Sequence, residues 1–278
     1  MALRYYLDLI NPVFLYRKRR GIKNRIREMP DDLIWWLAHK LISRGYVQSD
    51  VEDIKKLHGV FDQKKCVLVG NGPSVRIEDL DRLATAGLPT FGCNRLHLAY
   101  SETVFRPSYI ISSDEQVIGD FGMEIAEQNQ SNVVFVSKVN PKIESSFWVR
   151  LKKSRRFVFS EDPCNFVAAN GGSLIAAIQL AYYFGAREMY LYGVDHSFTF
   201  TKAKGGDGRS NAIGEGNHFI KDYRSGRMWQ APNYRLVEDA FRQADVYLRS
   251  KGGGLFNATR GGELEVLERV NFDDVFDN

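Results

Sequence analysis

Polar residues stand directly behind short apolar runs in this chain, and their types suit the handling of phosphates and hydroxyls. Gly70-Asn71-Gly72-Pro73-Ser74 follows the apolar run 66–69 and precedes a helical stretch. Glycines let the backbone come close to a ligand, and a helix N-terminus attracts phosphate. Asn71 and Ser74 add side-chain donors. No Gly-Lys-Ser/Thr follows, so this is not a Walker loop, and without a third glycine it is not the dinucleotide fingerprint. A Gly-Pro turn is often only a turn, but the strand before it favours ligand binding. Asn170-Gly171-Gly172-Ser173 opens a second helix. It offers further backbone amides for phosphate or carboxylate, unless Ser173 or Asn170 caps that end; the two readings are compatible.

Asn94 and Arg95 follow a second apolar run, Ser113, Asp114 and Glu115 a third, and Asp195, His196 and Ser197 a later one. Asp195 could bind magnesium or a ribose hydroxyl, or cap the following turn, and Asp114 poses the same choice. Two such carboxylates on neighbouring strand ends would make a metal site. His218, in Gly216-Asn217-His218-Phe219, is a candidate general base near neutral pH, although a lone histidine is more often structural. His196 is a weaker candidate. No Ser-His-Asp or Cys-His arrangement is present to support covalent catalysis.

These residues need a frame that brings strand ends together. Residues 66–69, 90–93, 109–112, 133–136, 157–159, 188–193 and 255–258 read as strands. Residues 76–86, 173–184 and 232–251 read as helices, the last ended by Gly252-Gly253-Gly254. Strands apolar throughout and alternating with helices imply a parallel sheet covered on both faces. The expected fold is α/β, a Rossmann-like, doubly wound, mostly parallel sheet. Its ligands bind beyond the carboxyl ends of the strands. Residues 201–216, rich in Gly, Lys, Asp and Ser, read as a loop suited to a lid, and Phe272, Val275 and Phe276 as a tail docked on the body.

The division expected is a basic, aromatic-rich helical extension over residues 1–60 and a nucleotide-binding domain over 61–278. Tyr5, Tyr6, Leu7 and Phe14 precede a basic run from Arg17 to Arg27, and a helix carries Trp35 and Trp36. Such a segment suits either peripheral membrane contact through residues 1–28 or a helical extension with solvated charges. A further helix is expected over 49–58. The 278 residues carry a net charge of +4, too mild for a general nucleic-acid binder. The three cysteines, Cys66, Cys93 and Cys164, have neither metal-ligand spacing nor a disulfide pattern, which fits a reducing compartment. No apolar run approaches the roughly 20 residues that span a bilayer, and residues 1–16 lack the order of a secretory signal. The expectation is a cytoplasmic protein, working at the inner membrane face if residues 1–28 touch lipid.

Taken in order, several segments resemble a known family. They are the Gly-Asn-Gly-Pro-Ser turn, Cys93-Asn94-Arg95, Ser113-Asp114-Glu115 and Asn170-Gly171-Gly172-Ser173. After them come the run from Tyr190 to Phe198, Asn217-His218-Phe219 and the run from Asn257 to Val266. Over roughly residues 65–276 the chain resembles the bacterial branch of the 6-hydroxymethylpterin diphosphokinase MptE-like family. More distantly, it resembles the bacterial sialyltransferases of glycosyltransferase family 42.

The sialyltransferase resemblance implies that Asn71, Ser74 and Asn94 line a pocket for a CMP-sugar. It also implies that His218 deprotonates an acceptor hydroxyl without a metal. Two positions depart from that pattern. Ser197 stands where those enzymes carry a tyrosine for the leaving phosphate, and Asp114 where they carry Asn. A carboxylate near a phosphate is unfavourable without a cation or proton between them. The pterin-kinase resemblance implies diphosphate transfer from ATP, with Mg2+ held by Asp114 and Asp195. Bacterial members of that family resemble proteins of surface-polysaccharide synthesis, which favours a sugar.

The leading expectation is a nucleotide-dependent, sialyltransferase-like glycosyltransferase of cell-surface glycan synthesis, with no tightly bound cofactor. It would take a nucleotide-activated donor and a sugar or lipid-linked acceptor, with Gly70, Asn71, Gly72, Ser74, Asn94, Asp114, Gly171, Gly172 and Ser173 around the nucleotide and His218 and Asp195 at the chemistry. The alternatives are the magnesium-dependent diphosphokinase and a non-catalytic nucleotide-binding module.

Overall fold

Strands with no polar alternation need cover on both faces, and the computed structural model shows how the chain provides it. It describes residues 50–276 apart from 62–63, 130–131, 138–142, 144–145, 153–156, 199–200, 205–209, 214–215, 226–228 and 231. The chain divides into two compact units, Met1–Asp50 and Val51–Asn278, and the elements below belong to the second. The readings of residues 1–49, including the membrane contact and the helix with Trp35 and Trp36, lie outside the described residues. Among the described residues no helix is long and apolar enough to cross a membrane.

The order begins with α1 (Val51–Lys56), β1 (Lys65–Val69), α2 (Ile77–Thr85), β2 (Thr90–Cys93) and a 3-10 turn (Leu96–Ala99). Next come β3 (Tyr109–Ser112), α3 (Glu115–Asn129), β4 (Val133–Ser137), β5 (Ser146–Lys152) and β6 (Val167–Ala168). Then follow α4 (Ser173–Phe184), β7 (Glu188–Tyr192), β8 (Thr201–Lys204), β9 (Ser210–Ile213) and β10 (Trp229–Gln230). The chain closes with α5 (Tyr234–Ser250), β11 (Gly254–Asn257), β12 (Glu268–Arg269) and α6 (Phe272–Phe276). Nine strands form one sheet in the order β12-β11-β7-β1-β2-β3-β4-β5-β6. All its pairings are parallel. This is the α/β, Rossmann-like, doubly wound sheet that the apolar runs imply.

The pleat sends alternate side chains to opposite faces. Cys66 and Leu68 of β1 join α1, α4 and α5 in one core layer. Val67 and Val69 join α2, α3 and α6 in the other. The strand order reverses at β1, which pairs with β2 on one side and β7 on the other. Phe272 and Phe276 of the tail are buried, as their apolar character requires.

Two expectations are corrected. Residues 157–159 form no strand: the Ser160 amide is taken by the Gln179 side chain at 3.0 Å, and Phe159 stacks on Tyr247 at 4.0 Å. The sheet is extended instead by β5 and β6. Residues 201–216 are not a plain loop. They contain β8 and β9, paired antiparallel, with β10 as third strand of a separate small sheet. Short strands rich in Lys, Ser and Asn have little strand propensity, which is why their sequence reads as loop.

Candidate functional site

A cavity of about 200 Å3 lies at the carboxyl ends of the strands, beside the reversal between β1 and β7. Open parallel sheets bind ligands in this crevice. Its wall brings together Gly70, Asn71, Gly72, Asn94, Asp195 and His218. Gly171, Gly172 and Ser173 complete it from the start of α4. Of the residues expected around a ligand, only Ser74 and Asp114 do not line it.

The glycines of the first turn serve the fold directly. The Gly70 amide donates to Tyr192 O at 2.7 Å, and that of Gly72 to Gly193 O at 2.9 Å. A Cβ on Gly70 would stand 2.4 Å from Gly193 O, and one on Gly72 would stand 1.9 Å from Asp195 Oδ2. The close approach is therefore of one strand turn to the next. The Ser74 hydroxyl donates to Asp195 Oδ2 at 2.8 Å. It tethers the two turns.

The donors that remain come from other elements. Asn94 sits in the left-handed region, φ 52°, immediately after β2. Its Oδ1 accepts the hydroxyls of Ser112 at 2.8 Å and Ser173 at 3.1 Å. In this orientation Nδ2 has no protein partner among the described residues. Helix α4 opens at Gly172, which has no side chain with which to cap it. Ser173 donates its hydroxyl to Asn94 instead of capping, and the first-turn amides turn their positive end toward the cavity.

Asn71 is buried beneath the wall. Its Nδ2 donates to Cys93 O at 2.8 Å and Tyr223 Oη at 3.1 Å, while its Oδ1 is buried without a partner. Cys93 beside it is no nucleophile, because burial pushes its thiol up to about 12.

His218 stacks on Tyr223, ring centroids 3.8 Å apart and planes 11° from parallel. Burial, helped by the nearby Arg224 charge, lowers the His218 pKa to about 4. The imidazole is therefore neutral at pH 7 and has a lone pair to accept a proton.

The segment carrying this pair is clamped to the sheet. Arg95 donates from Nη2 to Glu124 Oε1 at 2.9 Å and from Nη1 to the Tyr223 carbonyl. Its guanidinium lies 3.8 Å from the Phe121 ring centroid. The Phe219 amide reaches Asn71 O at 3.1 Å. Tyr223, Arg224 and the clamp by Arg95 were not marked by any motif. The usable signal was a second aromatic five residues after His218.

Asp195 is buried. Besides Ser74 it holds the Glu263 amide, at 2.6 Å, through its backbone carbonyl. Its carboxylate Oδ1 lacks a protein partner among the described residues. Asp114 is exposed and caps α3, accepting the Gln116 amide at 2.8 Å and that of Val117 at 3.3 Å. The cap uses Oδ1 of Asp114. Among the described residues no three His, Cys, Asp or Glu side chains cluster in metal-binding reach. His196 is buried, with Nε2 3.1 Å from Glu238 Oε1.

No family model matches the chain, and no curated protein matches it. Among solved structures it is similar to the MAf glycosyltransferase from Magnetospirillum magneticum AMB-1. That match has 14% identity and a TM-score of 0.47, and covers 81% of this chain. The chain corresponds to 38% of that protein's length. At this distance no activity passes from that protein to this one.

Proposed function

We propose that the chain is a nucleotide-dependent transferase of the glycosyltransferase kind, and that it takes a nucleotide-activated sugar such as a CMP-sugar. One observation carries the reading: unspent donors and a neutral histidine converge at the strand reversal. Asn94 Nδ2 and the uncapped start of α4 suit phosphoryl oxygens. His218, on the facing segment, suits a proton acceptor. In the proposed step the acceptor hydroxyl oxygen bonds to the anomeric carbon as the bond to the phosphate oxygen breaks. The hydroxyl proton passes to His218, and the electron pair leaves with the nucleotide.

The diphosphokinase alternative needs Asp114 and Asp195 to share a magnesium ion. Asp114 is committed to α3 and does not line the cavity, which favours the sugar-transfer reading. The resemblance of the segment order to the family 42 sialyltransferases supports the sugar-transfer reading, while the resemblance to the MptE-like proteins keeps the diphosphokinase as the alternative. A surface-glycan product, a lipid-linked acceptor and work at the inner membrane face belong to this proposal.

The test is thermal stabilisation by CMP, CDP, UDP, GDP, ADP and ATP, each with magnesium and with EDTA. A ligand that binds only the folded state raises the melting temperature. Stabilisation by a cytidine nucleotide that survives EDTA is the expected result. Stabilisation by ATP alone, abolished by EDTA, sinks the reading in favour of diphosphate transfer.

A further inference from the structure

We propose that Tyr223 anchors the ligand in this site: its ring fixes His218, and its hydroxyl proton is kept for a phosphoryl oxygen in the cavity. The argument starts from Asn71. Its Nδ2 lies 2.8 Å from Cys93 O, which can only accept, so the amide cannot be turned over. Asn71 therefore donates to Tyr223 Oη, at 3.1 Å, and the Arg95 amide donates to the same oxygen at 3.3 Å.

A phenol hydroxyl accepts about two hydrogen bonds and donates one. Both acceptor positions are filled, and the proton has no acceptor among the described residues. Tyr223 is 3% exposed, and it lines the cavity. A buried O–H without an acceptor is costly, and a ligand oxygen in the cavity removes that cost. Burial holds the phenol well above its ordinary range, so it donates throughout the working pH range.

The neighbours decide which oxygen. Asn94 Nδ2 and the α4 amides are donors on the same cavity. The Arg224 charge is near enough to act on His218. Donors gathered from three elements fit an anionic oxygen, while the carboxylate on this wall, Asp195, has its Oδ2 held by the Ser74 hydroxyl. The ring stacking places this anchor beside the histidine, so the residue that holds the leaving phosphate and the residue that gains the proton share one rigid support. The inference rests on the proposed phosphate-bearing donor.

The test pairs Tyr223→Phe, which keeps the ring, with Tyr223→Leu, which does not. Calorimetry measures binding of CMP, UDP, ADP, cytidine and inorganic pyrophosphate, and NMR follows the His218 titration. The expected result for Tyr223→Phe is about tenfold or greater weakening of whichever phosphate compounds wild type binds. Any cytidine affinity should be unchanged and the His218 pKa still near 4. Tyr223→Leu should raise that pKa toward its ordinary value.

Equal phosphate binding by wild type and Tyr223→Phe overturns the inference, as does equal weakening of cytidine and CMP. Wild-type binding of pyrophosphate without any nucleotide overturns the nucleotide reading and leaves the anchor standing. Failure of wild type to bind any phosphate compound overturns both. Should Tyr223→Phe not fold, 3-fluorotyrosine at 223 provides the readout. Its fluorine resonance should move with pyrophosphate and stay still with cytidine, and no movement overturns the inference.

Discussion

The carboxylate of Asp195 fills the space in which a side chain at position 72 would begin. Its Oδ2 lies 1.9 Å from a Cβ built on Gly72, and Gly193 O lies 2.7 Å from the same point. The turns after β1 and β7 are thereby packed at one separation, and residues of both line the cavity. Gly72→Ala must push them apart. Overpacking of this kind costs about 1–3 kcal/mol, which lowers the melting temperature of a domain this size by about 2–10 °C. Asp195→Ala placed on Gly72→Ala should recover part of that loss by removing one of the two clashes. Strictly additive losses in the double variant would show that the two residues do not share this space.

The frame was legible because β1, β2, β3, β4 and β7 are short runs without polar breaks, and polar residues crowd their carboxyl ends. β5 was not, because Ser146, Arg150 and Lys152 interrupt its apolar residues. What each polar atom is spent on was also hidden. Ser74 and Asp114 stand where donors or ligands would be expected, yet one ties two turns together and the other caps a helix. Ser74 and Asp195 lie 121 positions apart, and only the folded sheet pairs them, whereas the Asp114 cap is local and was one of the two readings open in the sequence. Tyr223 escaped for the same reason, since Arg95 holds it from 128 positions away.

His218 should titrate near 4 and act only as the free imidazole. Turnover should hold steady from neutral pH down to about pH 5 and fall as the pH drops through the folded pKa, because protonation removes the acceptor. His218→Ala should lower kcat by about 10²–10⁴-fold with nucleotide affinity within about threefold. Loss of nucleotide binding equal to the loss of turnover would make the residue structural rather than catalytic.

Acid should loosen the tail before the sheet. Burial opposes the charge on Asp79, but it is outweighed by hydrogen bonds from Arg260 and Tyr192 and by the charges of Arg260 and Arg82, so the carboxyl stays below its ordinary value. Bonds from Arg260 and Arg82 lower Asp273 as well. A carboxyl that is more acidic folded than unfolded stabilises above the unfolded value, about 3.9, and loses that contribution as pH falls through the folded one. Asp79→Asn should therefore cost about 3 kcal/mol at pH 7, and its deficit against wild type should narrow below about pH 4. Parallel melting curves for the two proteins from pH 7 to pH 3 would exclude this role.

Gln179 carries a larger share of the sheet's far edge than its place inside an apolar helix suggests. It is fully buried, and its Oε1 accepts the amides of Ser160 at 3.0 Å and Ala168 at 3.1 Å. Its Nε2 donates to Ala168 O at 2.6 Å and Ile175 O at 2.7 Å. One side chain thus stands in as strand partner for β6 and for the segment that fails to become a strand. Gln179→Leu keeps the volume but strands two amides and the Ala168 carbonyl, each costing about 1–3 kcal/mol if left buried and unpaired. The variant should lose at least about 2 kcal/mol in urea unfolding, and amide exchange at Ser160 and Ala168 should quicken well before that of β1. Unchanged exchange at those two amides would mean that other groups hold β6 in place.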